Sequence, residues 1–282
     1  MVLESLLNPA LAKKKPWDVL VFGGFAASIG LFLSYWIFRE YSSLIMVFLI
    51  TLAAVPLFYF TVTSEEQYDM SLSGEPAILK EHSKVLFFLM TLFMGITISL
   101  ALWYIVLPAH MTSVLFSSQS QTIVDINNHI SGNFFNVDII ARIFLNNFRV
   151  LVFAILFSFL YGVGSLFILT WNATVIAVAI GNFFRTNLAA AADVVGFHNI
   201  GVYFSVFSFG LLRYLIHGIP EILSYFVGGL AGGIISVAVI KHDLFSEKRE
   251  KILFDAAELV LIAVGLLVVA AVLEVAVTPL LF

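Results

Sequence analysis

The chain has 282 residues, of which 61% are hydrophobic and 11% charged, with a mean hydropathy of +1.04 and a net charge of -4. An average soluble domain is about 25% charged, so this composition is typical of an integral membrane protein. The small net charge gives no basis for nucleic-acid binding. The lack of Cys excludes disulfides, thiolate metal ligands and cysteine nucleophiles.

The first 107 residues are predicted to form an N-terminal membrane region with three crossings. Three apolar runs are close to the ~20 residues that a helix needs to cross a bilayer. They lie at residues 19–38, 44–61 and 85–107. Pro16 and Trp17 precede the first run, as expected for a helix that starts at the membrane interface. The charged stretch 63–84 is expected to be a surface connection.

Residues 108–147 form a second, more polar region. Its first part is rich in Ser, Gln and Asn and is predicted to be an exposed loop. In its second part, Val137, Ile140 and Phe144 recur at helical spacing, which predicts a short amphipathic helix at residues 137–144. Such a helix could lie at the membrane interface or could simply be solvated.

The third region, residues 148–282, is a dense membrane block. Its apolar pieces are residues 148–170, 174–184, 202–216, 219–240 and 253–277. The first two pieces are predicted to form a hairpin with a turn at residues 171–173. The next two are separated by His217 and Gly218, and the last is predicted to be the final crossing.

Basic residues predict the orientation, because Lys and Arg accumulate in short cytoplasmic loops. The two clusters are Lys13, Lys14 and Lys15, and Lys241, Lys248, Arg249 and Lys251. If both face the cytoplasm, the pieces 202–216 and 219–240 cannot both span the membrane. We therefore predict an all-α, polytopic membrane helical bundle with about seven crossings, a cytoplasmic N-terminus and a broken or re-entrant helix near His217 and Pro220.

Polar residues around that break are the leading candidates for a functional site. Arg213, His217 and Glu221 lie in a stretch otherwise apolar enough for lipid, where each ionisable residue costs roughly 2.5–3.5 kcal/mol. Gly218 and Pro220 beside them favour an interrupted helix. His217 and Glu221 share a helix face and could bind a cation, relay a proton, hold a partner's polar group or only stabilise each other. They provide too few ligands for a metal site, and we predict no metal or cofactor.

Other polar and small residues have structural interpretations. Glu274, flanked by apolar residues in the last crossing, is expected to form an ion pair with one of three arginines, Arg149, Arg185 or Arg213. Helix capping is the expected role of Asn146, Asn147 and Asn172. Close helix packing is the expected role of the small-xxx-small residues Gly228, Gly229, Gly232 and Gly233.

An ordered set of these residues carries a family resemblance. Its members are Asn146, Asn147 and Arg149 at the start of a crossing, Gly162 and Gly164 before Asn172, then Gly181, His217 and Gly218 with Glu221, Gly228 and Gly232, and Glu274 before Thr278 and Pro279. With this set, residues 146–279 resemble the stage II sporulation protein M family, and the first three crossings lie outside the resemblance. One departure is Ala173, because the family usually has Gly after the Asn.

The resemblance implies a membrane component of a larger complex, since the sporulation members act with peptidoglycan-cutting partners during engulfment. We therefore expect a non-enzymatic scaffold in the plasma membrane that organises membrane or cell-envelope partner proteins, with self-association as an open alternative. A small-solute or ion transporter or channel that uses the broken helix around His217 and Glu221 is the main alternative. An intramembrane enzyme with His217 as the base is a third, but the chain offers no convincing catalytic set.

Overall fold

The computed structural model describes the backbone of residues 16–71, 75–130, 137–161, 164–195, 200–240 and 249–277, and side chains there except at 62–82, 125–138, 160–165, 187–215, 237 and 240. These ranges contain nine α-helices and no strand. The helices are α1 (Pro16–Ile37), α2 (Ser42–Ser71), α3 (Glu75–Val106), α4 (Ala109–Leu115), α5 (Ser117–Ile130), α6 (Val137–Tyr161), α7 (Gly164–Val195), α8 (Ile200–Ile240) and α9 (Arg249–Val272). A 3₁₀ turn at Arg39–Tyr41 joins α1 to α2, and a π-helical turn at Leu273–Val277 follows α9.

Seven of these helices are long and apolar enough to cross a bilayer, namely all except α4 and α5. On α1, the side chains of Trp17 and Trp36 are 76% and 80% exposed. They lie about 28 Å apart along the helix, which matches the ~30 Å hydrocarbon core with an aromatic residue at each interface. The predicted all-α, polytopic membrane bundle with about seven crossings is confirmed.

The first three crossings form one group in which α1 and α3 run parallel and in close contact. A Cβ on Gly95 would collide with the backbone of Leu20, so glycine is what permits this approach. Further along the pair, Ser28 Oγ lies 3.0 Å from Ser99 Oγ and accepts a 3.0 Å hydrogen bond from Trp103 Nε1. Residue numbers of the contacting pairs increase together along α1 and α3, so the two helices run parallel.

The last four crossings form a second group around another parallel pair, α6 and α8. A Cβ on Gly228 would collide with the side chain of Leu151, and a Cβ on Gly232 would lie 2.6 Å from the carbonyl oxygen of Ile155. Helix α9 packs along both α6 and α8, and α7 packs against α3 as well as against α6 and α8. Because α7 touches both groups, one continuous cluster of buried apolar side chains runs through the bundle.

The predicted turn at residues 171–173 is wrong, because α7 continues through these residues. The two crossings instead meet ten residues earlier, between Tyr161 and Gly164. The polar side chains in and directly after the predicted turn are bonded within the helix. Asn172 Nδ2 donates to the Ile168 carbonyl oxygen at 2.8 Å, and Thr174 Oγ1 donates to the Trp171 carbonyl oxygen at 2.7 Å. Such local bonds satisfy a polar side chain without interrupting a membrane helix.

The predicted break near His217 and Pro220 is also wrong, because α8 is a single 41-residue helix with Pro220 inside it. Proline removes one backbone hydrogen bond, and membrane helices tolerate this when neighbouring groups compensate. Among the residues of α8 with described side chains, Ile216–Ser236 is apolar and long enough for a crossing. Because the helix is continuous, residues 202–216 belong to it and are not a separate half helix.

The described part of the polar region before α6 is largely helical, where the sequence predicted a loop. Its helices are α4 and α5. The amphipathic segment at residues 137–144 is not a separate interfacial helix, since α6 begins at Val137 and continues to Tyr161. An apolar stretch long enough to cross the membrane already begins at Ile139. Amphipathic spacing cannot distinguish an interfacial helix from the partly covered end of a crossing helix.

Gln119 attaches α5 to the bundle. Its side chain is fully buried, and Nε2 donates to the Ser43 carbonyl oxygen and to Thr174 Oγ1, both at 3.2 Å. Its Oε1 is buried without a hydrogen-bond partner among the residues described. Gln119 therefore links the start of α2, the polar helix α5 and the middle of α7.

Replacing Gln119 with Ala is expected to destabilise the protein by about 2–4 kcal/mol, because the change opens a cavity and removes two buried hydrogen bonds. Thermal unfolding of the purified protein in mild detergent measures this effect. The matched control is Gln121→Ala, at an exposed position on the same helix, for which we expect a shift within about 0.5 kcal/mol. Equal shifts for the two variants would contradict the anchoring role of Gln119.

Candidate functional site

The central element of the candidate site is one face of α8. His217, Glu221 and Tyr225 follow one another at intervals of four residues and so share this face. Glu221 Oε1 accepts a 2.9 Å hydrogen bond from the Tyr225 hydroxyl. Tyr225 is only 1% exposed, whereas His217 and Glu221 are partly buried. His217 also has an interaction partner.

A second carboxylate reaches this face from the end of the last crossing. Glu274 lies in the π-helical turn that follows α9, and π-helical turns recur at functional sites. The charges of Glu274 and Glu221 are close enough to interact, and Glu274 also acts electrostatically on Tyr225. The two carboxylates therefore come together although 53 residues separate them in sequence.

The α6 helix brings an asparagine to the same level of the bundle. Gly228 lies between the levels of Leu151 and Ile155, and Gly232 lies between those of Ile155 and Ser158. This parallel register places Asn147 within one helical turn of Glu221 in level. Asn147 lies one turn before Leu151 on the face of α6 that packs on α8, and it is 8% exposed. Three helical elements thus contribute polar side chains to one junction, in the half of the bundle where α6 and α8 begin their crossings.

The predicted ion pair of Glu274 with Arg149 or Arg185 is wrong. Arg149 is exposed, and its position two residues after Asn147 turns it to the opposite side of α6. Arg185 instead lies 3.4 Å from both the Tyr104 carbonyl oxygen and Thr112 Oγ1, to which it can donate. The side chain of Arg213 lies outside the described part of the chain.

The predicted capping role of the asparagines is also wrong, because all three lie inside helices. Asn146 and Asn147 are in the third turn of α6, and Asn172 is in the third turn of α7. Asn146 is exposed, and its Nδ2 is 3.5 Å from Asn147 Oδ1, a long contact that leaves both amides weakly bonded.

The glycines near the site have two different environments. Gly228 and Gly232 contact α6 directly, and Gly229 and Gly233 are buried beside them. Gly218 is buried as well, but nothing lies within 4 Å of a Cβ placed on it. Close packing therefore accounts for Gly228 and Gly232 and does not account for Gly218.

Sequence reasoning did not include Tyr225 in the site. Its spacing of four residues from Glu221 is the signal that could have indicated the contact, because a buried tyrosine hydroxyl needs a partner. The role of Asn147 depends on the register of α6 against α8, which no local pattern reveals.

The junction can bind a proton or a cation, or it can bond to a polar group of another molecule. Two carboxylates in a low-dielectric interior repel each other unless a proton or a positive charge lies between them. Among the described residues no three His, Asp or Glu side chains come together. A small cavity between α3, α7 and α8 is lined by Leu92, Leu169 and Phe226, among others, and does not include the carboxylates.

The seven apolar helices, the exposed aromatic side chains and the polar junction inside the bundle define a multi-pass membrane protein. The family model described as stage II sporulation protein M matches residues 44–279. This match covers most of the chain, and the chain belongs to that family. It begins in α2, so the second and third crossings are part of the family region, contrary to the shorter extent predicted from the motif residues. No curated protein and no solved structure matches the chain.

Proposed function

We propose that this protein is a membrane scaffold that organises partner proteins and catalyses no reaction of its own. The observation that supports this function is the poor coverage of α6. Only 11% of the most apolar stretch of α6 is buried inside the bundle, compared with 28–72% of the corresponding stretches in the other six crossing helices. A crossing helix that its own bundle leaves open is available to another protein.

The open side of α6 is not uniformly apolar, which distinguishes it from an ordinary lipid-facing surface. Asn146 and Arg149 are both exposed there and lie within the crossing Ile139–Phe159. An arginine in contact with lipid costs about 2.5–3.5 kcal/mol or more. A partner that covers this side and bonds to the guanidinium removes that cost.

We also propose that the protein resides in the plasma membrane with its N-terminus in the cytoplasm. Six crossings separate the cluster at Lys13, Lys14 and Lys15 from the cluster that begins at Lys241. An even number of crossings leaves both clusters on the same side of the membrane. The preference of Lys and Arg for cytoplasmic loops supports the orientation in which this side is the cytoplasm.

A transporter or channel is the second candidate, and the carboxylate pair of Glu221 and Glu274 is the observation that favours it. Paired acids inside a crossing bundle are common in proton and cation pathways. Against it, α8 is continuous, whereas many transporters bind their substrate at interrupted helices.

Purification of the tagged, full-length protein from its native membrane in mild detergent tests the proposal. We expect at least one other membrane or envelope protein in stoichiometric amount by mass spectrometry. A protein that purifies alone or only with itself would refute the scaffold. Reconstituted liposomes test the second candidate, which predicts ion or solute flux that is lost in Glu221→Gln and Glu274→Gln.

A further inference from the structure

The open side of α6 has a defined pattern along the helix. Arg142, Asn146, Arg149, Phe153 and Phe157 follow at spacings of four, three, four and four, and all five side chains are exposed. We call these five residues the α6 outer face. Its first part is cationic and polar, and its second part is aromatic.

Arg149 lies too deep for a simple contact with lipid headgroups. It is about 18 Å along α6 from Val137 and equally far from Tyr161, and therefore lies at the middle of the helix. Arg142, by contrast, is within one turn of Ile139 and can extend to the interface. No hydrogen bond or ion pair joins Arg149 to another residue in the part of the chain that the structure describes.

Among the residues whose side chains are described, no carboxylate of the chain itself pairs with Arg149. Glu221 on α8 and Glu274 after α9 lie on the side of α6 that Asn147 faces, whereas Arg149 points away from that side. Glu258, which is exposed, belongs to the first part of α9, at the opposite end of the bundle from the start of α6.

A second copy offers no better partner among the described residues. A symmetric membrane dimer with its axis along the membrane normal keeps every residue at its own depth. The described carboxylates nearest to the depth of Arg149 are Glu221 and Glu274. Glu221 is bonded to Tyr225, and the charges of the two acids act on each other. Neither this chain nor a second copy therefore offers Arg149 a carboxylate among the described residues, which supports a carboxylate from a different protein.

We propose that the α6 outer face docks a transmembrane helix of a partner protein, and that this helix has an Asp or Glu side chain that pairs with Arg149. The apolar surface of the same helix packs on Phe153 and Phe157. Charged hydrogen bonds between an arginine and a carboxylate are strong and directional, particularly in a low dielectric. This inference rests on the proposed scaffold function and specifies where the partner binds and what chemistry it uses.

Site-specific cross-linking in the native membrane tests the location. The chain has no Cys, so a single cysteine introduced by Phe153→Cys can be labelled uniquely with a photo-activated cross-linker. The matched control is Leu261→Cys, because Leu261 is 72% exposed on α9. We expect an adduct to one protein at position 153 and at least tenfold less of it at position 261, with the cross-linked peptide from a transmembrane helix that contains Asp or Glu.

Charge substitution tests the chemistry. Arg149→Glu is expected to reduce the recovered partner at least tenfold, whereas Arg149→Lys retains more than half of it. The control is Arg249→Glu, at an exposed position where α9 begins. Changing the acid of the cross-linked helix to Lys or Arg should restore binding to Arg149→Glu.

The outcomes separate this inference from the scaffold function. A partner that co-purifies but cross-links equally at both positions, or through a helix without an acid, overturns the inference and leaves the scaffold intact. Adducts only to lipid or to a second copy also overturn it. If the unmodified protein purifies without any stoichiometric partner, both this inference and the scaffold function are refuted. If Arg149→Glu does not fold, the cross-linking result decides.

Discussion

Gly232→Ala is expected to destabilise the protein, although alanine favours helices more than glycine does. An added Cβ would lie 2.6 Å from the Ile155 carbonyl oxygen and 2.8 Å from the Ser158 Cβ. The backbone oxygen cannot move aside alone, so α6 and α8 must separate. Overpacking of this kind costs about 1–3 kcal/mol, more than the 0.5–1 kcal/mol that alanine gains over glycine in a helix. Separation would also strain the Ser158 hydrogen bond to the Gly229 carbonyl oxygen.

Gly218→Ala is the matched control for this prediction, because Gly218 is also a buried glycine on α8. A Cβ there meets nothing within 4 Å, so we expect unchanged or slightly higher stability. Thermal unfolding in detergent, followed by the recovery of monodisperse protein, compares the two variants. Equal stability of Gly232→Ala and Gly218→Ala would refute the close contact of α6 and α8. Normal stability of Gly218→Ala with loss of the co-purifying partner would assign Gly218 a functional role.

The number of crossings could be predicted from the sequence because it depends on apolar length and on charge. Each crossing needs about 20 apolar residues, and the basic clusters at Lys13 and Lys241 constrain the parity. Apolar length and charge are each summed over many neighbouring residues. A small error in where a helix ends therefore does not change the predicted number of crossings. The same parity argument failed only where it assigned residues 202–216 to a separate half helix, since it cannot detect a helix much longer than the bilayer is thick.

Helix ends were the less predictable part of the fold. Asn172, Gly218 and Pro220 each favour an interruption in a soluble protein, yet α7 and α8 continue through all of them. In the membrane core no water can bond to backbone groups that have lost their helical hydrogen bonds. The free-energy cost of opening a helix therefore exceeds the small preference of one residue for an interruption. Local preferences alone therefore overestimate the number of breaks.

The candidate site could be predicted only in part. Glu221 and Glu274 were recognisable because a carboxylate in an apolar run is costly wherever it lies. Their proximity was not, because it depends on how α8 and α9 pack, and the sequence indicated arginine partners for Glu274 instead. The inward position of Asn147 and the outward position of Arg149 follow from the face of α6 that Gly228 and Gly232 contact.

Tyr225→Phe is expected to destabilise the protein by about 1–3 kcal/mol, and its cost is expected to be smaller when Glu221→Leu is already present. Each single change leaves one buried partner of the 2.9 Å hydrogen bond without the other. The double change removes both partners at once. A double-mutant cycle of thermal unfolding measures the coupling. Additive effects would show that the hydrogen bond contributes nothing to stability.

Glu274→Gln is expected to stabilise the protein, which is unusual for a substitution of a partly buried residue at a candidate functional site. The change removes the repulsion between Glu274 and Glu221 and keeps the size of the side chain. Glu258→Gln is the matched control, because Glu258 is an exposed acid in the first half of α9, the helix that precedes Glu274. We expect it to leave stability within about 0.5 kcal/mol. Thermal unfolding at neutral pH measures both variants.

Stabilisation of Glu274→Gln alone means that the native pair is retained at a cost in stability, as expected if it binds a cation, a proton or a polar group of another protein. An unchanged or lower stability means that the two carboxylates already share a positive charge, and that the pair is a structural element of the bundle.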